Sequence, residues 1–135
     1  MSFIVLILGG GDLASGVALR LHRSGIRVAI TELPQPLAVR RLVSFAEAVY
    51  AGECTVEGIT ARCIADHSDT LRILRVFANG QIPVLVDPKA ETRLTLHPTV
   101  IVDGRMKVST LPGLGIVFDQ DYLKANRAEG EPWWG

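Results

Sequence analysis

Charge of one sign is what this 135-residue chain most plainly lacks: 14 Lys and Arg balance 14 Asp and Glu. No basic stripe or acidic tail gathers either sign, so neither nucleic acid nor an anionic membrane surface is implied as a partner. Long apolar runs are missing too. The longest, Phe3 to Leu8, is six residues, against about 20 for a membrane-spanning helix. The n-region and cleavage site of a signal peptide are also missing, and the expectation is a soluble, cytoplasmic protein. Cysteine is scarce. Cys54 and Cys63 form no C-x-x-C pair and no zinc-ligand spacing, so no metal site is expected. They flank Glu57-Gly58, where a turn centred on Gly58-Ile59 would bring them together across a hairpin and one centred on Glu57-Gly58 would not. Free thiols are the expectation for a cytoplasmic chain. Aromatics make up only 6% of residues, and two of them, Trp133 and Trp134, stand together at the end of the sequence.

What is present is concentrated at the front. Phe3 to Leu8 is an apolar run, Gly9-Gly10-Gly11-Asp12 a glycine cluster, Leu13 to Ser24 an amphipathic stretch stopped by Gly25. Arg27 to Glu32 is a second apolar run ending in an acid. Gly9, Gly11 and Ala14 fill the small-residue positions of G-x-G-x-x-G/A. The chemistry needs each one. Gly9 permits a tight strand-to-helix turn, Gly11 lets the backbone approach a pyrophosphate, and Ala14 lets the helix lie close on the strand. The helix start, including Leu13, offers unpaired N–H groups and partial positive charge to an anion. Glu32 falls about 20 residues on, where an acid accepts hydrogen bonds from a ribose diol and repels a 2′-phosphate.

The same logic extends along the chain. Leu13, Val17 and Leu21, with Ala14 and Ala18 beside them, are spaced to form a thin apolar face of the first helix, and Gly16 within it costs roughly 1 kcal/mol unless close packing on the sheet requires it. His22 reads as a solvated surface residue. Pro36 suits a first helical turn, and Ala38 to Tyr50 carry a mixed helical pattern ended by Gly52. Arg40 and Arg41 lie near its beginning, available to a ligand anion or to Glu32 or Glu47. Thr55 to Ile64 reads as two short strands about a turn, and Asp66 to Asp69 caps a helix that Asn79-Gly80 stops. Ile82 to Asp87 has the near-continuous apolar character of a buried parallel strand, and Val100 to Asp103 repeats the form. Leu114 to Phe118 and Asp121 to Ala128 read as a last strand and a helical turn or two. The expected fold is a single α/β domain over residues 1–135, a Rossmann-like open, mostly parallel sheet with helices on both faces and a small β-hairpin insertion. In such sheets ligands bind outside the carboxyl ends of the strands, where Glu32, Asp87 and Asp103 stand, although Asp-Pro and Asp-Gly also start turns.

Several phrases in order then carry a resemblance: Gly9-Gly-Gly-Asp-Leu-Ala-Ser-Gly16, Arg20-Leu-His-Arg23, Thr31-Glu-Leu-Pro-Gln-Pro36, Arg40-Arg41, Phe45-Ala-Glu-Ala-Val-Tyr50, Val56-Glu-Gly-Ile-Thr-Ala61, Pro83-Val-Leu-Val-Asp-Pro88 and Val102-Asp-Gly-Arg-Met106. They resemble the selenium-dependent molybdenum hydroxylase system proteins of the YqeB type, grouped with the XdhC-like accessory family. The resemblance covers residues 3 to about 106, and residues 107–135 diverge from the further half that the family carries. It implies a role in maturing a molybdenum hydroxylase, as an accessory protein that handles a molybdopterin-type, in some forms dinucleotide, cofactor.

The residues and the resemblance agree on a nucleotide-like anionic ligand, with NAD or a molybdopterin (dinucleotide) cofactor as candidates. Its expected contacts are Gly9, Gly10, Gly11, Asp12, Leu13, Glu32, Arg40, Arg41, Asp87 and Asp103. No Ser-His-acid or Cys-His arrangement marks catalysis. An NAD-dependent oxidoreductase, with His67 or His97 in proton transfer, and a non-binding structural or regulatory partner are the alternatives. A hydrophobic content of 48% and the terminal tryptophans lead to the expectation of a homodimer.

Overall fold

The computed structural model describes residues 3–103. The chain divides into a compact unit of Met1–Arg105 and a second unit of Met106–Gly135. The expected strand at Leu114 to Phe118, the helical turns from Asp121 and the docking of Trp133 and Trp134 lie outside the described residues.

Six strands form one sheet: β1 (Ile4–Leu8), β2 (Arg27–Glu32), β3 (Glu53–Val56), β4 (Ile59–Ile64), β5 (Ile82–Val86) and β6 (Val100–Asp103), in the spatial order β3-β4-β5-β2-β1-β6. All neighbours pair in parallel except β3 with β4. The helices are α1 (Asp12–Arg23), α2 (Glu47–Ala51), α3 (Thr70–Ala78) and α4 (Arg93–Leu96), with a 3-10 turn at Arg41–Val43. This is the Rossmann-like open α/β sheet expected from the alternation of apolar runs and amphipathic stretches. The hairpin β3-β4 stands at one end of the main sheet, which it joins through the pairing of β4 with β5.

Alternation along each strand builds two cores. Val5, Ile7, Val28, Ile30, Ile82 and Val84 pack with Ala18 and Leu19 of α1, Ala48 of α2 and Phe45. Ile4, Leu6, Ala29 and Leu85 point the other way, onto Ile73, Val76 and Phe77 of α3. Helices thus cover both faces, and the strands between them must be apolar on both sides. Val100 and Ile101 break that pattern, at 42% and 47% exposed. Among the described residues β6 is an edge strand and has no covering helix beside it.

Three further expectations change. The buried residues of α1 are Ser15, Ala18 and Leu19, whereas Leu13 is 84% exposed. Ala14, Ala18 and Leu21 do pack on the core, and buried bonds of Ser15 set a rotation that turns Leu13 and Val17 outward. The pattern over Ala38 to Tyr50 yields only the 3-10 turn and the short α2. Ser44 between them is extended (φ −122, ψ 128), because Phe45 N–H donates to Ser15 Oγ (2.8 Å) and Ala46 N–H to the Gly10 carbonyl (2.9 Å). Tertiary bonds have replaced the helical ladder there. His22 is half-buried, its Nε2 2.9 Å from the Gly80 carbonyl.

The hairpin turn centres on Glu57-Gly58, so Cys54 faces Ala61 rather than Cys63, and both thiols are free. Burial pushes both thiols up from their ordinary pKa.

Gly16 has nothing within 4 Å of an added Cβ and lies exposed in the middle of α1, so the close packing expected for it is absent. Gly16→Ala should therefore raise stability by about 1 kcal/mol. Urea denaturation measures this; an unchanged or lower midpoint would show that the glycine is needed in the folded state.

Candidate functional site

The chain leaves β1 for β2 on one flank, while β6 occupies the other, so the sheet reverses direction of build at the end of β1. In open α/β sheets that reversal leaves a crevice between the loops. A cavity of about 740 Å³ opens there, lined among others by Gly9, Glu32, Leu33, Asp87, Lys89 and Asp103. The strand registers bring its lining together: Leu8 lies opposite Thr31 and Asp103, and Glu32 opposite Val86. The volume is in the range of small-molecule and cofactor sites.

The three glycines of the loop differ in what they do. Gly9 sits at φ +92, a left-handed conformation that only glycine adopts freely, and its N–H donates to the Thr31 carbonyl at 2.8 Å. Gly10 is confined, since a Cβ there would meet Ala46 N at 3.1 Å and Ile30 Cγ2 at 3.2 Å. Its carbonyl accepts from Ser44 Oγ (2.6 Å), Ser15 Oγ (3.2 Å) and Ala46 N–H (2.9 Å). Gly11, the N-cap of α1, has open space beside it and no side-chain cap. The loop is therefore rigid at Gly10 and open at Gly11.

Glu32 is more tightly engaged than its place at a strand end suggested. Gly10 N–H donates to Oε2 at 2.7 Å and Leu33 N–H to Oε1 at 2.8 Å. Each oxygen keeps accepting capacity, and the two bonds hold the carboxylate in one orientation. At the start of α1, Asp12 accepts from Arg40 Nε at 3.0 Å, and the hydrogen bond from Arg40 holds its carboxyl below the usual range. An anion arriving at this helix start meets both the Asp12 carboxylate and the Arg40 guanidinium, which is 71% exposed. Arg41 is committed elsewhere. It binds Glu47 through two bonds of 2.6 and 2.9 Å and lies over the Tyr50 ring. Neither arginine pairs with Glu32.

Asp87 serves the turn that follows β5. Its Oδ1 accepts from Glu91 N–H (3.0 Å), and its Oδ2 accepts from Thr92 N–H (2.8 Å) and Thr92 Oγ1 (2.6 Å). The residue is 2% exposed. Burial works to raise its pKa, but the Thr92 hydroxyl and N–H and the Glu91 N–H outweigh it, and the carboxyl titrates below its ordinary range. Asp103 ends β6 at the cavity wall.

Of the ten residues singled out from sequence, Gly9, Glu32, Asp87 and Asp103 line the cavity. Gly10 forms the loop behind it, while Gly11, Asp12 and Leu13 form the helix start, with Arg40 alongside. Arg41 points away. Ser15, Ser44 and Lys89 were missed. A serine on the buried side of α1 was a signal that could have been read; Ser44 carried none. The two histidines considered for proton transfer do not line the cavity: His67 lies 3.5 Å from Glu91, and His97 is the left-handed C-cap of α4. Among the described residues no cluster of His, Cys, Asp or Glu could hold a metal ion, and no helix is long and apolar enough to cross a membrane.

The chain is similar to the uncharacterized protein YqeB of Escherichia coli (strain K12), at 43% identity over 100 residues, 74% of this chain. It spans only 18% of that protein's length. No family model matches the chain, and no solved structure matches it.

Asp87→Asn should lower stability by about 2 kcal/mol at neutral pH, since it replaces the charged acceptor of three donors. Because the folded pKa is depressed, the contribution is complete above the unfolded aspartate value of about 3.9 and vanishes as the pH falls through the lower folded value. Urea titrations of both proteins from pH 7 to pH 2 measure the gap between them. A gap that stays constant below pH 4 would contradict this account.

Proposed function

We propose that this protein is an accessory factor for maturation of a molybdenum hydroxylase, holding a nucleotide-like or molybdopterin-type ligand at the glycine loop and the adjoining cavity. The observation that carries the ligand reading is the combination at one strand edge of a rigid loop open at Gly11, an oriented Glu32 carboxylate and a cavity of about 740 Å³. The Gly11 and first-turn N–H groups of α1 would face the phosphates, with Arg40 offsetting Asp12, and Glu32 would accept from ribose hydroxyls. The role in maturation rests on the sequence resemblance alone; the 43% identity to the uncharacterized YqeB supports the likeness and not the role. The histidines considered for proton transfer in an oxidoreductase, His67 and His97, are not among the cavity-lining residues.

Mass spectrometry of the denatured, freshly purified protein should release a pterin or nucleotide. In the folded Gly11→Val variant the β-branched side chain fills the open space at the loop, and the ligand should be lost. A nicotinamide dinucleotide would instead support the oxidoreductase. A folded variant that retains its ligand would remove the loop from the site.

Self-association as a homodimer belongs to the same proposal. Leu37, Val39 and Leu42 are 95%, 94% and 92% exposed, and Leu13 beside the loop is 84% exposed. Apolar surface of this kind is commonly covered by a partner. Sedimentation velocity at micromolar concentration should give a dimer that Leu37→Asp with Leu42→Asp dissociates; a monomeric wild-type chain would refute it.

A further inference from the structure

The cavity runs along the carboxyl ends of β5, β2, β1 and β6, in that spatial order. With phosphate at the glycine loop and ribose at Glu32, whatever the ribose carries lies over the end of β5, about 4.8 Å beyond β2. That region is a built turn. Ala90 N–H donates to the Asp87 carbonyl at 3.1 Å, with Pro88 between them to fix the backbone. Asp87 grips the far side of the loop through Glu91 and Thr92. Arg93 Nη1 donates to the carbonyls of Lys89 and Ala90, both at 2.8 Å. Ala90 is held at φ 52, a left-handed conformation that alanine seldom adopts. Such strain persists only where surrounding bonds over-determine it, and it clusters at ligand sites.

What this turn leaves unengaged is the Lys89 ammonium. Among the described residues it has no hydrogen-bond or ion-pair partner, and it lines the cavity. Leu33, 46% exposed, and Pro88 add apolar surface to the same end. Glu32, Asp87 and Arg93 line the same end but are bonded within the loop and turn, so Lys89 is the uncommitted charge beside apolar surface that suits a flat ring. An ammonium can only donate, so it pairs with a ring edge that accepts. Guanine presents O6 and N7 acceptors on one edge, whereas adenine replaces the oxygen by an amino donor.

We infer that the β5 end of the cavity takes a planar heterocycle bearing a carbonyl oxygen, of guanine type, and that Lys89 selects it over an adenine-type ring. The inference rests on the ligand site proposed above and names the class of ring that site accepts.

Calorimetric titration of the full chain with GDP and with ADP tests it, because the two share ribose and phosphates and differ only in the ring. GDP should bind about tenfold tighter, as one discriminating ring contact gives. Lys89→Met should weaken GDP to the level of ADP and leave ADP unchanged; Lys89 is exposed, so the variant should fold, which circular dichroism checks. Equal affinities in the wild-type protein, a preference for ADP, or equal weakening of both ligands by Lys89→Met would overturn the inference while leaving the nucleotide site standing. Binding of neither nucleotide would overturn the site itself and the ring selectivity with it.

Discussion

Everything at the candidate site hangs on the backbone of Gly10. Its carbonyl collects donors from α1 (Ser15), from Ser44 and from Ala46, while its N–H is taken by the Glu32 carboxylate at the end of β2. One residue thus ties together three segments: the first turn of α1, the stretch from Ser44 to Ala46 and the end of β2. Ser15 and Ser44 are fully buried, so each hydroxyl must find a partner or forfeit its solvation, on the order of 1–3 kcal/mol. That penalty makes the clamp specific. The absence of a Cβ at Gly10 is what allows Ala46 and Ile30 to close on it.

Two consequences follow from the clamp. The segment from Ser44 to Ala46 is pinned in non-helical geometry, which limits α2 to Glu47–Ala51 and leaves Leu37, Val39 and Leu42 facing outward. On the other side, α1 is fixed in rotation and its N-terminus is aimed past Gly11 toward the strand edge. The Glu32 carboxylate completes the arrangement by being held from the loop. Loop rigidity and acid orientation come from the same bonds, so the glycine loop and Glu32 are one device rather than two neighbouring features.

The β5 end is built by a different principle. There a buried carboxylate, Asp87, closes a short loop on itself, and Arg93 braces it from outside. The Asp-Pro pair was legible as a turn, and its position at the end of an apolar strand placed it on the rim of the cavity. Both readings describe the same residue: Asp87 is on the rim and spends its oxygens on the turn. The group left for chemistry is its neighbour Lys89, which had no pattern in the sequence to mark it.

The parallel sheet, the strand-helix-strand unit, the cap at Asp69 and the glycine stops at Gly25, Gly52 and Gly80 were legible because each rests on local chemistry: alternation, end-capping or backbone conformation. The same holds for Glu32, whose distance from the glycine cluster is fixed by one helix and one strand. Rotation of α1, the breaking of the Ala38 to Tyr50 pattern and the partners of Arg40 and Arg41 were not legible. Those depend on which donors and acceptors meet when the segments pack, and apolar spacing carries no information about a serine at position 15 finding a peptide N–H at position 45. The sequence by itself determined the class of sheet and the place of the loop. Only the tertiary structure decided which polar groups are spent on holding the fold and which face the cavity, because buried hydrogen bonds are satisfied between segments and not within them.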